Sequence, residues 1–159
     1  MFVVTKLQQW SALPLRLIVG YGFIAHGYAK IARGPEHFAV VLQGIGVPHA
    51  HLMTWLTIII ELLGRAAVLL GAFVGFAIVP MTAVLVTAIF TVHLPYGFSS
   101  IKLQAITSHG AQFGPPGYEI DLLYLACMLT LVLAGTGPFT VDGLIRKRTT
   151  VQPKAAGSR

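Results

Sequence analysis

The chain has 159 residues, 55% hydrophobic and only 10% charged, where a soluble domain is typically about a quarter charged. At roughly 20 apolar residues per membrane span, that length has room for about four spans and two loops, and excludes a large soluble domain. The formal charge of +6 does not point to nucleic acid, because five of the eleven basic residues (Arg146, Lys147, Arg148, Lys154 and Arg159) sit in one tail and not in a groove-like patch.

Residues 1–12 form a short lead with Lys6 and Trp10. Residues 13–32 read as the first span, with Pro14 in its first turn, where a missing N–H costs little. His26 and Lys30 lie where a cleavable signal would be plainly apolar, so the segment is expected to stay in the protein. Residues 33–51 are a loop bounded by Gly34-Pro35 and by Gly44, Gly46 and Pro48, and residues 36–43 inside it suit a short interfacial helix. The apolar run from 52 to 93 is too long for one span. A turn at residues 71–75 divides it into spans at 52–70 and 73–93, with Pro80 as a tolerated kink. Residues 94–117 are a second long loop, residues 118–136 a fourth span, and Gly137-Pro138 its stop. The expected fold is all-α: one integral membrane domain over residues 1–159, a four-helix bundle. The basic tail at 143–159 puts both termini in the cytoplasm.

The second span carries Glu61 and Arg65 one turn apart, so they share a face with or near Thr54, Thr57 and Gly64. Trp55, Ile59, Leu62, Leu63, Ala66 and Leu69 form the other side and suit lipid. At 1.5 Å per residue Glu61 lies roughly 14 Å from the outer end and His26 roughly 9 Å. Lys30 is one turn above His26, His93 closes the third span, and Glu119, Asp121 and Tyr124 open the fourth. Each span thus places an ionisable group in the outer half, and charge inside a bilayer is normally turned inward against a partner. Glu61, His26 and Lys30 are the candidate catalytic groups, and His93, Tyr124, Glu119, Asp121 and Arg65 the candidate ligand contacts. Arg16, near the inner end, is assigned a structural role, as an ion pair with Asp142 or a side chain that snorkels to headgroups. No metal site is expected, since His49 and His51 have no evident third ligand. His26 and His93 are the minimum for bis-His haem ligation, a weak signal, and haem is not expected. The single Cys127 excludes an intrachain dithiol relay.

Several patterns then coincide: Arg16, Gly20, Phe23, His26-Gly27 and Lys30; Gly44-Ile45-Gly46-Val47-Pro48; Glu61-Leu62-Leu63-Gly64; His93 with Tyr96-Gly97-Phe98; Gly117-Tyr118-Glu119; and Gly135-Thr136-Gly137-Pro138 with Asp142. Together they resemble the DoxX family of small four-helix membrane proteins, over residues 13–144. Arg65 stands where a small residue is usual in that family. The resemblance implies a multi-pass protein of the bacterial inner membrane, some relatives being subunits of thiosulfate:quinone oxidoreductases and others members of oxidative-stress complexes.

Three functions follow as alternatives. The first is a quinone-linked redox subunit in which His26, Lys30 and Tyr124 donate to the quinone and Glu61 relays protons. It needs a protein partner to supply electrons. The second is a non-catalytic partner or assembly subunit whose charges pair internally and whose loops dock a neighbour, a protein partner or another copy in a homo-oligomer. The third, a small-molecule or lipid binder or transporter, ranks last because no inverted repeat is apparent.

Overall fold

The computed structural model describes residues 10–150, so Lys6 of the lead and Lys154 and Arg159 of the tail lie outside the described residues. Helix α1 spans Ala12–Ala32 and buries Ala12, Arg16, Val19, Gly20, Phe23 and Gly27, a stripe at helical spacing. Gly34, at φ 90°, turns the chain into α2, Pro35–Gly44, which starts on its proline. Helix α3, Ala50–Leu70, buries Thr54, Ile58, Glu61, Gly64 and Val68 on one face and leaves Trp55, Ile59 and Leu63 exposed on the other.

Gly71 ends α3 in the left-handed conformation, φ 61°, which a residue with a side chain rarely adopts. Helix α4, Val74–Ala88, keeps Pro80 in its interior and buries Val74, Ile78, Met81 and Leu85. A π turn, Ile89–His93, and a 3₁₀ turn, Leu94–Tyr96, extend it. Helix α5 spans Glu119–Ala134, and α6 spans Val141–Thr150. Among the described residues, Ala50–Leu70 and Val74–Tyr96 are long and apolar enough to cross a membrane.

The fold is mostly helical. Helix α3 is at its centre, in contact with α1, α2 and α4, while α5 packs on α1 and α4. The core lies between them: Val19 and Phe23 from α1, Val68 from α3, Ile78 and Met81 from α4, Met128 and Leu131 from α5. The outward faces are apolar too, with Phe76 87% and Leu133 77% exposed, a distribution that suits lipid rather than water.

The spans expected at 13–32, 52–70, 73–93 and 118–136 overlap helices at Ala12–Ala32, Ala50–Leu70, Val74–Ala88 and Glu119–Ala134. Three features differ from the sequence reading. The third span does not continue as α-helix to His93 but changes to the wider π form at Ile89. The loop at 94–117 contains an antiparallel hairpin, β1 Leu103–Thr107 and β2 Gly110–Phe113. The tail begins as a helix.

Candidate functional site

Helix α1 approaches α3 closely at its glycines. A Cβ on Gly27 would lie 3.4 Å from the Glu61 Cβ, and one on Gly20 would collide with the Leu69 side chain. This approach lets Lys30, at the last turn of α1, reach the α3 face. Its Nζ makes an ion pair with Glu61 Oε1, and the ammonium also sits 4.7 Å from the ring centroid of Phe38 on α2, a cation–π contact. Glu61 is 4% exposed. Its second oxygen, Oε2, is buried without a hydrogen-bond partner, as is the hydroxyl of Thr54 two turns earlier on the same stripe. A buried carboxylate oxygen left unsatisfied costs free energy, so it is the atom of this region most ready to take a donor from a ligand or a water.

A second polar pair lies between the outer ends of α4 and α5. His93 Nδ1 is 3.1 Å from the carbonyl of Pro116. A carbonyl only accepts, so Nδ1 carries the proton and donates. Nε2 then faces Asp121 Oδ2 at 3.9 Å. His26 is also within electrostatic reach of Asp121. It shares the inward stripe of Val19, Phe23 and Lys30 on α1, yet it is exposed while Val19 and Phe23 are buried. The packing is therefore open at that level. Helix α1 thus supplies one residue to each pair, Lys30 towards Glu61 and His26 towards Asp121.

The remaining expected residues serve other contacts. Tyr124 packs its ring against Phe23, centroids 5.5 Å apart, and its hydroxyl fills the space beside Gly22. Arg65 donates to the carbonyl of Phe23 at 3.0 Å rather than bonding Glu61. Glu119 Oε2 accepts from the Ser100 N–H at 3.0 Å and closes the loop onto α5.

The expected Arg16–Asp142 ion pair is not formed. Arg16 donates instead to the carbonyls of Val68, Leu69, Thr136, Pro138 and Phe139. Asp142 accepts from the Phe73 N–H through both oxygens, at 3.1 and 2.9 Å. The reason is that helix ends leave backbone groups unpaired: the cation takes carbonyls where α3 stops, and the anion takes an N–H where α4 starts. The sequence reading missed Phe38 and Gly22. Phe38 gives no signal beyond an apolar position in a short amphipathic helix, and Gly22 none beyond being a glycine. A cavity of about 400 Å³ lined by Gln43, Val47, His49 and His51 lies at the α2–α3 connection, and neither Lys30 nor Glu61 lines it.

The Gly22–Tyr124 contact can be tested directly. A Cβ on Gly22 would overlap the Tyr124 hydroxyl, so Gly22→Ala is expected to destabilise the protein by about 1–3 kcal/mol through overpacking. Thermal unfolding in detergent reads it as a lowered midpoint. Adding Tyr124→Leu should restore part of the loss, a non-additivity that residues in direct contact show.

Comparison with known proteins gives three matches. The family model described as DoxX matches residues 11–94, more than half of the chain, which includes Lys30, Glu61 and His93 and ends before α5. A protein described as an uncharacterized membrane protein, from Mycobacterium tuberculosis, is 29% identical over 157 residues, 94% of this chain and 87% of its own length. An uncharacterized protein of Haemophilus influenzae is 28% identical over 145 residues, 90% of this chain and 96% of its own. No solved structure matches the chain significantly.

Proposed function

We propose a function from the premise that the chain belongs to the DoxX family and is a membrane protein: it is the membrane subunit of a quinone-linked redox complex in a bacterial inner membrane. In this reading α1, α3, α4 and α5 form a four-helix bundle, both termini face the cytoplasm, and the polar groups open outward. Lys30 and His26 are the donors that meet the oxygens of a quinone. Glu61 passes the protons that quinone reduction consumes, while His93, Asp121, Tyr124, Arg65 and Glu119 surround or brace the site. Electrons come from a partner protein that carries the redox centre.

The observation that carries the reading is Glu61. It is buried, held by Lys30 through one oxygen, and left with the other oxygen unpaired. A purely structural pair would be better satisfied, and ionisable groups inside a membrane are function candidates by default.

The test starts from protein purified in mild detergent and extracted with organic solvent. The extract is expected to contain quinone by absorbance and mass. Added short-chain quinone should raise the melting temperature of the wild type and not that of Glu61→Gln. Repeated extracts without quinone, together with no melting response in the wild type, would overturn the proposal.

A second reading, a non-catalytic assembly subunit, is favoured by one fact: both Lys30 and Arg65 have internal partners, Glu61 and the Phe23 carbonyl. Under it, Glu61→Gln with Arg65→Met leaves complex formation and activity intact. Loss of activity in a variant that still folds counts against it.

A further inference from the structure

We propose that the β1–β2 hairpin lies on the membrane surface, its apolar face set into the headgroup–acyl boundary of a phospholipid bilayer, where the 74–96 helix leaves it. Leu103 pairs with Phe113, and Ile106 with Ala111, with an irregularity between Leu103 and Ala105. Directly paired residues share a face, and residues two apart along a strand share one. Phe113 and Ala111 therefore face the same way and take Leu103 and Ile106 with them. In a regular strand Leu103 and Ile106, an odd spacing apart, would face oppositely; the bulge puts them on one side. The other side holds Ala105 and Gln112, which are paired, and Lys102, whose carbonyl accepts from the Gly114 N–H at 2.8 Å. The hairpin is thus amphipathic.

Its apolar side is uncovered. Leu103 is 56% exposed, Ile106 80% and Phe113 60%. A lone two-stranded hairpin is marginal in water, so an uncovered apolar face calls for an environment that buries it.

Two observations select lipid. First, the hairpin is tied to the ends of the helices that flank it. Tyr118 N–H donates to the Gly97 carbonyl at 3.1 Å, Gly117 N–H to that of Ser99 at 3.0 Å, and Ser100 N–H to Glu119 at 3.0 Å. Pairing therefore runs from the end of a helix long and apolar enough to cross a membrane into the hairpin, which keeps it near the bilayer surface. Second, residues 94–117 contain no Asp or Glu, and Lys102 is their only Lys or Arg. Lys102 lies over the Tyr96 ring at 5.9 Å. A cation beside aromatic side chains is the chemistry of the interface, complementary to lipid phosphates.

The test uses the full chain with Cys127→Ser, or Cys127→Ala if yield falls, so that single cysteines can carry a nitroxide. Ile106→Cys and Phe113→Cys label the apolar side, Ala105→Cys and Gln112→Cys the other. The protein is reconstituted in vesicles of phosphatidylcholine with phosphatidylglycerol. Labels at 106 and 113 are expected to collide with oxygen in preference to a water-soluble nickel chelate, several-fold more so than labels at 105 and 112. Equal access of the chelate to all four positions would place the hairpin in water and overturn the proposal. Protection from both reagents would also overturn it: with spin–spin broadening it would mean a second copy, without it a different protein region. None of these outcomes depends on quinone binding.

Discussion

Replacing Arg16 with methionine is expected to cost about 3 kcal/mol or more, since each buried carbonyl left without a donor costs about 1–3 kcal/mol. Arg16 is 3% exposed, and its guanidinium holds five backbone carbonyls from two separate parts of the chain. Val68 and Leu69 belong to the last turn of α3; Thr136, Pro138 and Phe139 belong to the segment after α5. The Val68 carbonyl also accepts from the Gly71 N–H at 3.2 Å, but that of Leu69, at the very end of α3, is past the intrahelical pattern, and the partial negative charge there favours a cation. Methionine fills similar space and donates nothing, so the carbonyls of Leu69, Thr136, Pro138 and Phe139 lose the Arg16 donor, while that of Val68 keeps the Gly71 N–H. Arg16→Lys should recover only part of the loss, because an ammonium has three donors and no planar fork to spread over five acceptors. Unfolding in mixed micelles, followed by tryptophan fluorescence, measures both variants. A loss for Arg16→Met no larger than a surface ion pair, about 1 kcal/mol or less, would show that the carbonyls are satisfied without it.

Lys30→Met is the second large effect. It leaves Glu61 buried without its counter-ion, and breaking a buried pair from one side costs about 3–5 kcal/mol. Changing both residues, Lys30→Met with Glu61→Met, should return most of that stability, since an apolar pair of similar volume replaces the ions without an orphaned charge. The coupling between the two sites comes from the full cycle of single and double variants. The double variant also separates the two functional readings. A chain that folds as well as the wild type and has lost its response to quinone assigns the pair to chemistry. One that folds as well and retains that response, or retains the activity of its complex, assigns it to packing.

The helices, and the inward facing of Lys30 and Glu61, were legible in the sequence for one reason. Long apolar runs make each charge within them conspicuous, and helical spacing gives its face and depth. The same reasoning placed Arg16 and Asp142 at one end of the molecule and then joined them, because side-chain charges can be read from a sequence and unpaired backbone groups cannot. Arg16 in fact serves the end of α3, and Asp142 the start of α4. The hairpin was missed because its face depends on a bulge near Gln104, which disrupts the alternation that would have marked β1. Glu119 looked like a site residue from its place at the mouth of a span. It is committed to a loop N–H, a local demand that position in the chain does not reveal.

The π turn at Ile89–His93 has a consequence for how this fold can change. The buried stripe of α4 runs through Val74, Ile78, Met81 and Leu85, and an unbroken α-helix would bring Val92, two turns beyond Leu85, onto it. A π turn takes in one residue more, which advances His93 into that phase, facing Asp121. Rewinding that turn as α-helix, with every residue kept, would leave the lower packing of α4 in register while swinging the imidazole by roughly 100° off the stripe. Aim at the mouth and fit in the core are therefore separable, and a local change of winding re-points this side chain without repacking anything beneath it.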